Sequence, residues 1–448
     1  MLNGSLSERL PGTLKRLLHG RPLLQRLLGN SAWQIGDKVV RLGAGVLVNV
    51  YIARYLGPGD FGLLNFAVAL TALFSAVAAF GLPSVVVRDL VTRPQDRRTI
   101  VATAWLLRLA GGVAAIALSA LGSHALRAGE LRSQLIVTVV ALCNLPLAWD
   151  VIDYVYQSQI DARPVVIARN IGFVLAALLR VALVLAGSSL TGFAWAIVAE
   201  GLFSAALLAR QSRIDRVAIV PSAATWQEAR RLVMTSWPLV IAGMSVSIYM
   251  RVDQVMLGNL IGNAGVGLFA AAVRVSEALY FLPVAVAASV APALTALHGK
   301  SREQYQQRFL QLTRLLVWLA FAVALLFSVF SKPLILALYG RQYLASAGVL
   351  AIHAWAGVLV SLGVCGTLWL TNAGFFKCSM YQTLVGAFVN VVLNLLLIPS
   401  HGIIGAAIAT CAGQFAAVIL AMAVIPSTRP LFRLQLAALV PRFSAAPG

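Results

Sequence analysis

Four charged residues lie inside two consecutive apolar segments of the chain. Arg251 and Asp253 interrupt the first segment, and Arg274 and Glu277 interrupt the second. A charge at the centre of a membrane helix costs about 2.5–3.5 kcal/mol on insertion scales, so such residues are functional-site candidates by default. Guanidinium groups bind phosphate oxygens bidentately, and neighbouring carboxylates can take up a proton or a cation. The pattern therefore suggests a cationic site for an anionic headgroup.

The spacing of the four charges leaves two interpretations of their pairing. Arg274 and Glu277 are three residues apart and can share one helix face. Arg251 and Asp253 are two residues apart, so they point in different directions and each needs a partner on another helix. Bridges that simply lock adjacent helices are one interpretation, through Asp253 and Arg274 or through Arg251 and Glu277. The other is a cavity in which Arg251 and Arg274 contact the ligand.

Other apolar segments also contain charges. Asp37 and Arg41 are four residues apart and can pair on one helix face, and Arg41 would be a third arginine facing the same cavity. Glu200 lies in the middle of its segment. The candidates for ion coupling or salt bridges are therefore four carboxylates: Asp37, Glu200, Asp253 and Glu277. Three further arginines lie within reach of segment ends and can extend to the membrane surface: Arg108, Arg169 and Arg180.

The composition is that of a polytopic membrane protein. Of the 448 residues, 60% are hydrophobic and only 11% are charged, against about 25% charged in soluble domains. Of the 35 Lys and Arg residues, we assign 23 to tails and loops on one side, 5 to the other side and 7 to the apolar segments. This asymmetry follows the positive-inside rule and makes the basic side cytoplasmic. It favours anionic lipid headgroups over nucleic acid as the partner of the positive charge.

The hydropathy pattern predicts twelve membrane spans, each close to the ~20 residues that a bilayer needs. They cover residues 33–55, 62–82, 101–123, 134–156, 165–186, 190–210, 237–260, 266–291, 312–330, 345–371, 380–398 and 403–425. An even number of spans places both termini in the cytoplasm. The predicted organisation is a basic amphipathic segment 1–32, a six-helix bundle 33–210, a basic cytoplasmic linker 211–236, a second six-helix bundle 237–425 and a cytoplasmic tail 426–448.

The two halves resemble each other. The run Leu56-Gly57-Pro58-Gly59-Asp60-Phe61-Gly62 after the first span matches Ile261-Gly262-Asn263-Ala264-Gly265-Val266-Gly267 after the seventh, at an offset of 205 residues. A repeat of six spans preserves orientation, so it gives two parallel bundles related by an axis along the membrane normal. Transporters built in this way bind their substrate between the halves.

Several motifs together resemble a known family. They include the run from Ala53-Arg54-Tyr55-Leu56-Gly57-Pro58-Gly59 to Val87-Arg88-Asp89-Leu90, the runs Ser236-Trp237-Pro238 and Tyr249-Met250-Arg251-Val252-Asp253-Gln254, and residues 271–277 and 394–407. In combination they are similar to bacterial O-antigen flippases of the Wzx type. These flippases form part of the multidrug/oligosaccharidyl-lipid/polysaccharide exporter superfamily.

The resemblance implies a fold, a substrate and a cycle. The fold would be an all-α, V-shaped pair of six-helix bundles in the bacterial inner membrane. The substrate would be an undecaprenyl-pyrophosphate-linked oligosaccharide, moved from the cytoplasmic to the periplasmic leaflet for O-antigen or surface polysaccharide biosynthesis, with a polysaccharide polymerase or assembly machinery as possible partners. The resemblance also implies coupling to an H⁺ or Na⁺ gradient and no other cofactor.

Two alternatives belong to other functional classes. A multidrug or organic-cation exporter of the same superfamily would have a carboxylate-rich, aromatic cavity, whereas here the deep positions contain arginine. A membrane enzyme such as a glycan polymerase would need a large extracytoplasmic loop, and every loop that we place there is short. Asp150 and Asp153 alone are too few for a metal-dependent prenyltransferase, and the four cysteines have no metal-site spacing. The sequence therefore favours a transporter over an enzyme.

Overall fold

The computed structural model describes the backbone of residues 22–215 and 219–440. Side chains are described for residues 41–215 and 219–440, apart from Leu42, Ala242 and Phe376. Within these ranges the chain is helical and contains no β-strand. Most of the segment predicted to be basic and amphipathic, 1–32, lies outside the described residues.

Sixteen α-helices follow one another along the described chain. They are α1 Pro22–Ala79, α2 Leu82–Thr92, α3 Arg97–Leu126, α4 Leu131–Ala141, α5 Val151–Ser158, α6 Arg163–Leu185, α7 Leu190–Ile214, α8 Trp226–Leu260, α9 Asn263–Glu277, α10 Phe281–His298, α11 Arg302–Tyr339, α12 Ser346–His353, α13 Ala356–Asn372, α14 Phe376–Phe415, α15 Ala421–Val424 and α16 Arg429–Leu439. A π-turn at Ala416–Leu420 joins α14 to α15.

Ten stretches of the described chain are long and apolar enough to cross a membrane. Two of them, Gly43–Thr92 and Lys377–Val424, have 50 and 48 residues, which is enough for two crossings of ~20 residues each. Each of the two is interrupted at a glycine with non-helical dihedrals, Gly57 at φ 70° and ψ 171° and Gly402 at φ 58° and ψ −134°. The prediction of an all-α protein with twelve spans is therefore confirmed.

The glycine turns of the two halves have the same conformation and contact each other. Gly262 has φ 86° and ψ 178°, almost the dihedrals of Gly57 at the equivalent position. A Cβ atom on Gly62 would lie 1.8 Å from the carbonyl oxygen of Asn263. A Cβ on Gly267 would lie 2.1 Å from that of Pro58. The two halves therefore cross backbone against backbone here, and only glycine fits at the crossing.

The crossing defines two ends of the bundle. We name the end with the Gly57, Gly262 and Gly402 turns the glycine-turn end, and the opposite end, with most loop arginines, the arginine-rich end. The largest hydrophobic core joins the two halves near the glycine-turn end, where it buries Phe61, Phe66, Phe269, Tyr339 and Tyr343. Smaller cores lie within each half. The halves are thus packed most firmly at one end.

An ionic network holds the start of α8 against the first half at the arginine-rich end. The carboxylate of Asp89, which is 2% exposed, accepts a hydrogen bond from Arg231 at 2.5 Å. Arg93 donates to Glu228 at 2.8 Å, and Glu228 also accepts from Arg231. The first turns of α8 are therefore tied to the first half. The rest of α8 packs both against α1, where Gly258 meets Phe66, and against α14.

The glycine crossing predicts a sharp difference between neighbouring glycines. Gly267→Ala should destabilise the protein by about 3 kcal/mol or more, because the new methyl group meets a backbone carbonyl that has no room to move. Gly59→Ala is the matched control, since a Cβ there meets nothing within 4 Å. The measurement is the thermal unfolding midpoint of each detergent-solubilised variant. An unchanged midpoint for Gly267→Ala would contradict the crossing.

Candidate functional site: a charged cluster between the two halves

Arg251 and Arg274 lie at similar depth on adjacent helices. Counted from the nearest helix end, Arg251 on α8 lies about 14 Å and Arg274 on α9 about 17 Å from the glycine-turn end. Nη1 of Arg251 lies 4.0 Å from Oε2 of Glu277. Arg251 and Glu277 are also electrostatic neighbours of Arg274. The structure thus brings together three of the four charges that the sequence singled out in these segments.

The first half of the chain contributes a further pair of charges to this place. Arg180 on α6 forms a 2.7 Å ion pair with Glu200 on α7. Arg180 is also an electrostatic neighbour of Arg274. Residues from both halves therefore form what we call the central charged cluster: Arg180, Glu200, Arg251, Arg274 and Glu277. All five side chains are partly exposed, as expected of residues that line a cavity.

The cluster has an excess of positive charge, with three guanidinium groups and two carboxylates. Glu200 pairs with Arg180 and Glu277 lies beside Arg251, whereas no carboxylate of the described chain lies within 4.0 Å of the Arg274 guanidinium. A guanidinium at membrane depth that lacks a close counter-ion can bind an anion with its fork of N–H donors. Phosphate is the ligand group that this geometry fits best.

Asp253 lies beside this cluster, with Arg251 and Glu277 as electrostatic neighbours, and its carboxylate is turned towards the part of α14 after Gly402. Its carboxylate is 4% exposed and accepts a 2.7 Å hydrogen bond from the Thr410 hydroxyl. The sequence had left open a bridge from Asp253 to Arg274, and the structure pairs Asp253 with Thr410 instead. The second carboxylate oxygen, Oδ1, is buried and has no hydrogen-bond partner in the described chain. This oxygen is therefore available to a ligand.

Two buried asparagines lie in the part of α14 before the Gly402 interruption, which also packs against α8. Asn394 donates a 3.1 Å hydrogen bond to Asn390, one turn earlier on α14, and both are fully buried. The pair leaves Oδ1 of Asn394 and Nδ2 of Asn390 without partners among the described residues. Carboxylate, carbonyl and hydroxyl oxygens are the ligands of hard cations. The oxygens of Asp253, Asn394 and Thr410 therefore suit a small cation.

Arg41 lies at a different depth from the cluster. It is about 24 Å from the glycine-turn end, counted along α1 from Gly57, and its guanidinium lies 5.6 Å from the Phe173 ring centroid. The first half contributes Arg180 to the central charged cluster, and the role of Arg41 as a cavity arginine stays a prediction. The side chain of Asp37, its predicted partner, lies outside the described residues.

The two other arginines that were expected to reach the membrane surface are paired inside the first half. Arg108 donates to the Leu147 carbonyl at 2.8 Å and to Asp150 at 3.1 Å. Arg169 contacts Asp150 at 2.8 Å and Asp153 at 3.0 Å. These contacts join α3, α5, α6 and the segment before α5, so their role is to hold helices together.

Sequence reasoning missed Arg127, which clamps the two halves at the glycine-turn end. Arg127 lies in the loop after α3, yet it is 5% exposed. Its guanidinium donates to Asn263 at 2.6 Å and to the Gly258 carbonyl at 2.7 Å, and it lies 3.8 Å from the Phe66 ring centroid. Burial lowers the pKa of Arg127, while Glu130 opposes this shift; an arginine stays charged even so.

Arg54 and Tyr343 make a second set of contacts across the glycine-turn end. The Arg54 side chain donates to the Leu338 carbonyl at 2.6 Å. The Tyr343 hydroxyl donates to the Ala53 carbonyl at 2.8 Å. Together with the Arg127 clamp, these contacts close the glycine-turn end. No spacing rule predicts them, because each joins residues that lie far apart in sequence.

Solved structures define the class of this fold. The structure aligns with the lipid II flippase MurJ in an inward closed conformation, with a TM-score of 0.65, 13% identity and coverage of 92% of this chain and 91% of MurJ. It aligns with an inward-facing multidrug resistance transporter of the MATE family with a TM-score of 0.62, 15% identity and coverage of 92% and 96%. The fold is that of the multidrug/oligosaccharidyl-lipid/polysaccharide exporters.

Sequence relatives narrow the class to a family. The chain is 23% identical over 438 residues to the probable flippase AglR of Haloferax volcanii, covering 90% of this chain and 84% of the relative. It is 21% identical over 380 residues to the capsular polysaccharide biosynthesis protein CapF of Staphylococcus aureus, covering 83% and 92%. The family described as "Polysaccharide biosynthesis protein" matches residues 51–348, and the chain belongs to this family. The resemblance drawn from the motifs is confirmed.

The Arg127 clamp predicts unequal effects of two arginines in the same loop region. Arg127→Ala should destabilise the protein by about 3 kcal/mol, because buried acceptors lose a charged donor. Arg132→Ala is the control, since Arg132 is 65% exposed and pairs only with Asp60, and it should cost less than about 1 kcal/mol. Chemical or thermal unfolding in detergent measures both. Equal losses for the two variants would contradict the clamp.

Proposed function

We propose that this protein moves undecaprenyl-pyrophosphate-linked oligosaccharide units from the cytoplasmic to the periplasmic leaflet of a bacterial inner membrane. The observation that carries the proposal is the central charged cluster, where three guanidinium groups meet two carboxylates between the halves. A flippase function is also supported by the printed names of a sequence relative and of a similar solved structure, both of which are flippases. The product would serve the biosynthesis of O-antigen or another surface polysaccharide.

The cluster suits a pyrophosphate for electrostatic reasons. A pyrophosphate carries negative charge on oxygens that guanidinium forks bind bidentately. Arg274 has no close carboxylate in the described chain, and the 4.0 Å spacing of Arg251 and Glu277 is loose, so both arginines can turn to an incoming anion. Glu200 and Glu277 reduce the repulsion among the arginines while the ligand is absent. The site is therefore selective for anions over organic cations, which disfavours the multidrug alternative.

The closed glycine-turn end fits loading from the opposite side. We assign the arginine-rich end to the cytoplasm by the positive-inside rule, which also places both termini there. The Arg127 and Arg54 contacts then close the periplasmic side in this structure, and the substrate reaches the cluster from the cytoplasmic leaflet. The moving bodies in the proposed alternating-access cycle are the bundles 33–210 and 237–425, joined by the linker 211–236. A polysaccharide polymerase or assembly complex would receive the product.

We assign ion coupling to Asp253, with H⁺ or Na⁺ as the coupling ion. The support is Oδ1 of Asp253, which is buried and has no partner in the described chain, while Oδ2 accepts from the Thr410 hydroxyl and the span before Gly402 buries the Asn390–Asn394 pair. This donor set of carboxylate, hydroxyl and amide oxygens fits Na⁺. In this scheme Glu200 and Glu277 are counter-ions of the cluster arginines and do not bind the coupling ion.

The proposal predicts that the two second-half arginines are needed for substrate binding but not for folding. Arg274→Ala and Arg251→Ala should each weaken binding of a short-chain polyprenyl pyrophosphate by roughly 10- to 150-fold, since a charge-assisted hydrogen bond contributes about 1.5–3 kcal/mol. Both should also abolish surface-polysaccharide complementation, while membrane insertion and the thermal midpoint stay close to the unmodified protein. Arg274→Lys should recover part of the affinity because it keeps the charge but loses the fork.

Arg132→Ala is the control for this experiment, because Arg132 is exposed and lies outside the cluster. Binding is measured by tryptophan fluorescence or calorimetry in nanodiscs. Full complementation by both alanine variants at normal expression would overturn the cationic site and with it the proposed function.

A further inference from the structure

Two polar stripes face each other inside the second half. On α8, Ser245, Tyr249 and Asp253 are spaced four residues apart and therefore share one helix face. The facing stripe on α14 also shares one helix face, at successive spacings of three or four residues, and it contains Ser379, Thr383, Gly386, Asn390 and Asn394. The stripes are in contact, since a Cβ on Gly386 would lie 3.1 Å from a ring carbon of Tyr249.

A cavity of about 250 Å³ lies at one end of these stripes. Its polar lining consists of four hydroxyl-bearing residues and includes no charged side chain: Ser245, Thr371, Ser379 and Thr383. Thr371 is in the last turn of α13, while Ser379 and Thr383 are in the first two turns of α14. The loop between these helices lies at the arginine-rich end, so the cavity lies on that side of Tyr249.

Buried polar atoms without partners continue from the cavity into the helix pair. They are the Tyr249 hydroxyl, Oδ1 of Asp253, Nδ2 of Asn390 and Oδ1 of Asn394, as judged from the described residues. Buried polar atoms in folded proteins are almost always paired with protein or water. Four unpaired atoms along two facing stripes therefore indicate a path that holds water or an ion.

The hydroxyl groups of the cavity are oriented to accept rather than donate. Ser245 donates to the Ile241 carbonyl at 2.8 Å, Thr371 to the Thr367 carbonyl at 2.8 Å and Thr383 to the Ser379 carbonyl at 3.1 Å. Their protons are engaged within their own helices, so oxygen lone pairs face the cavity. Such a lining suits a hydrated cation, whose waters donate hydrogen bonds.

The cavity itself differs from the central charged cluster in its lining, although Asp253 lies next to Arg251 and Glu277. A cation that approached Asp253 through the cluster would pass three guanidinium groups, and the repulsion would be strong at membrane depth. The cavity presents no guanidinium and shares no lining residue with the cluster. A cation and an anionic substrate would therefore use different routes to sites on the same helix, α8.

We propose that this cavity is a vestibule that connects Asp253 with the arginine-rich end for a small hydrated monovalent cation, with Tyr249 at its inner boundary. The proposal rests on the assignment of Asp253 as the ion site in the proposed function. It adds the route and the side of access. The cation then reaches Asp253 independently of whether the central charged cluster holds substrate.

The test uses Na⁺ as the probe and binding rather than transport as the readout. Association of ²²Na⁺ is measured with the purified full-length protein in nanodiscs without any lipid-linked glycan. Thr383→Leu and Ser379→Leu narrow the vestibule from one wall and should slow association at least about tenfold, with the equilibrium affinity within about threefold of normal because Asp253 is intact. Ser289→Leu, at an exposed hydroxyl position on α10, is the matched control and should change neither quantity.

The side of access is tested by cysteine labelling in proteoliposomes. In a background with the four native cysteines replaced by alanine, Thr383→Cys should react with an impermeant thiol reagent added at the arginine-rich side only, and the label should slow ²²Na⁺ association. Labelling from the glycine-turn side alone, no labelling of the folded variant, or normal association in both leucine variants would overturn the vestibule.

One further variant separates the two proposals. Asp253→Asn should abolish Na⁺ binding, while the arginines still bind polyprenyl pyrophosphate when the variant is assayed without Na⁺. Normal Na⁺ binding by Asp253→Asn, or no Na⁺ binding by the unmodified protein, would refute the ion site and the vestibule together. Loss of Na⁺ binding in Asp253→Asn, with no effect of the vestibule variants, would refute the route alone.

Discussion

A guanidinium group at membrane depth needs a counter-charge, and this constraint organises the ion pairs inside the helix bundle. Arg180 has Glu200, Arg251 has Glu277 nearby, and Arg108 has Asp150. Removing one partner of such a buried pair is expensive because the remaining charge loses its compensation. Arg274 is the exception within the described chain, half-buried and without a close carboxylate. An unpaired guanidinium at this depth costs free energy, and the presence of Arg274 there is best explained by an anionic ligand that binds it.

The glycine crossing and α8 connect this site to the rest of the molecule. The crossing at Gly62 and Gly267 brings the two halves into backbone contact at one end, so separation of the halves at the other end requires no change there. In the proposed cycle, α8 links the ligands, because it bears Arg251 towards the cluster and Asp253 towards α14. A cation that alters the packing of α8 at Asp253 must alter the substrate affinity at Arg251, and the coupling is reciprocal by linkage.

The sequence predicted what depends on local pattern. Hydropathy and the repeat of Gly57 and Gly262 were sufficient for twelve spans in two parallel bundles. The deep positions of Arg251, Arg274 and Glu277 were visible because a charge in an apolar segment is conspicuous. Arg180 was assigned to the membrane surface because it lies near the end of its helix. Only the fold shows that its side chain turns to Glu200 and the cluster.

Contacts between distant segments were beyond the reach of sequence reasoning. Arg127 is an arginine in a short loop, a setting in which the side chain is usually solvated. Its burial follows from the position of Asn263 and Gly258 in the other half, more than a hundred residues away. The path from the vestibule to Asp253 likewise depends on contacts between segments that lie far apart in sequence. In the sequence, its two stripes are only polar residues at helical spacing on separate helices. The packing of α8 on α14 places them side by side.

The most direct test of the central claim is headgroup translocation in liposomes that contain only this protein and a short-chain polyprenyl-pyrophosphate oligosaccharide. An impermeant glycan-modifying enzyme added to one side measures how much oligosaccharide has crossed. We expect crossing from the arginine-rich side to the glycine-turn side that depends on an imposed ion gradient and is lost in Arg274→Ala. No crossing by the folded protein under any gradient, with expulsion of cationic dyes instead, would contradict it.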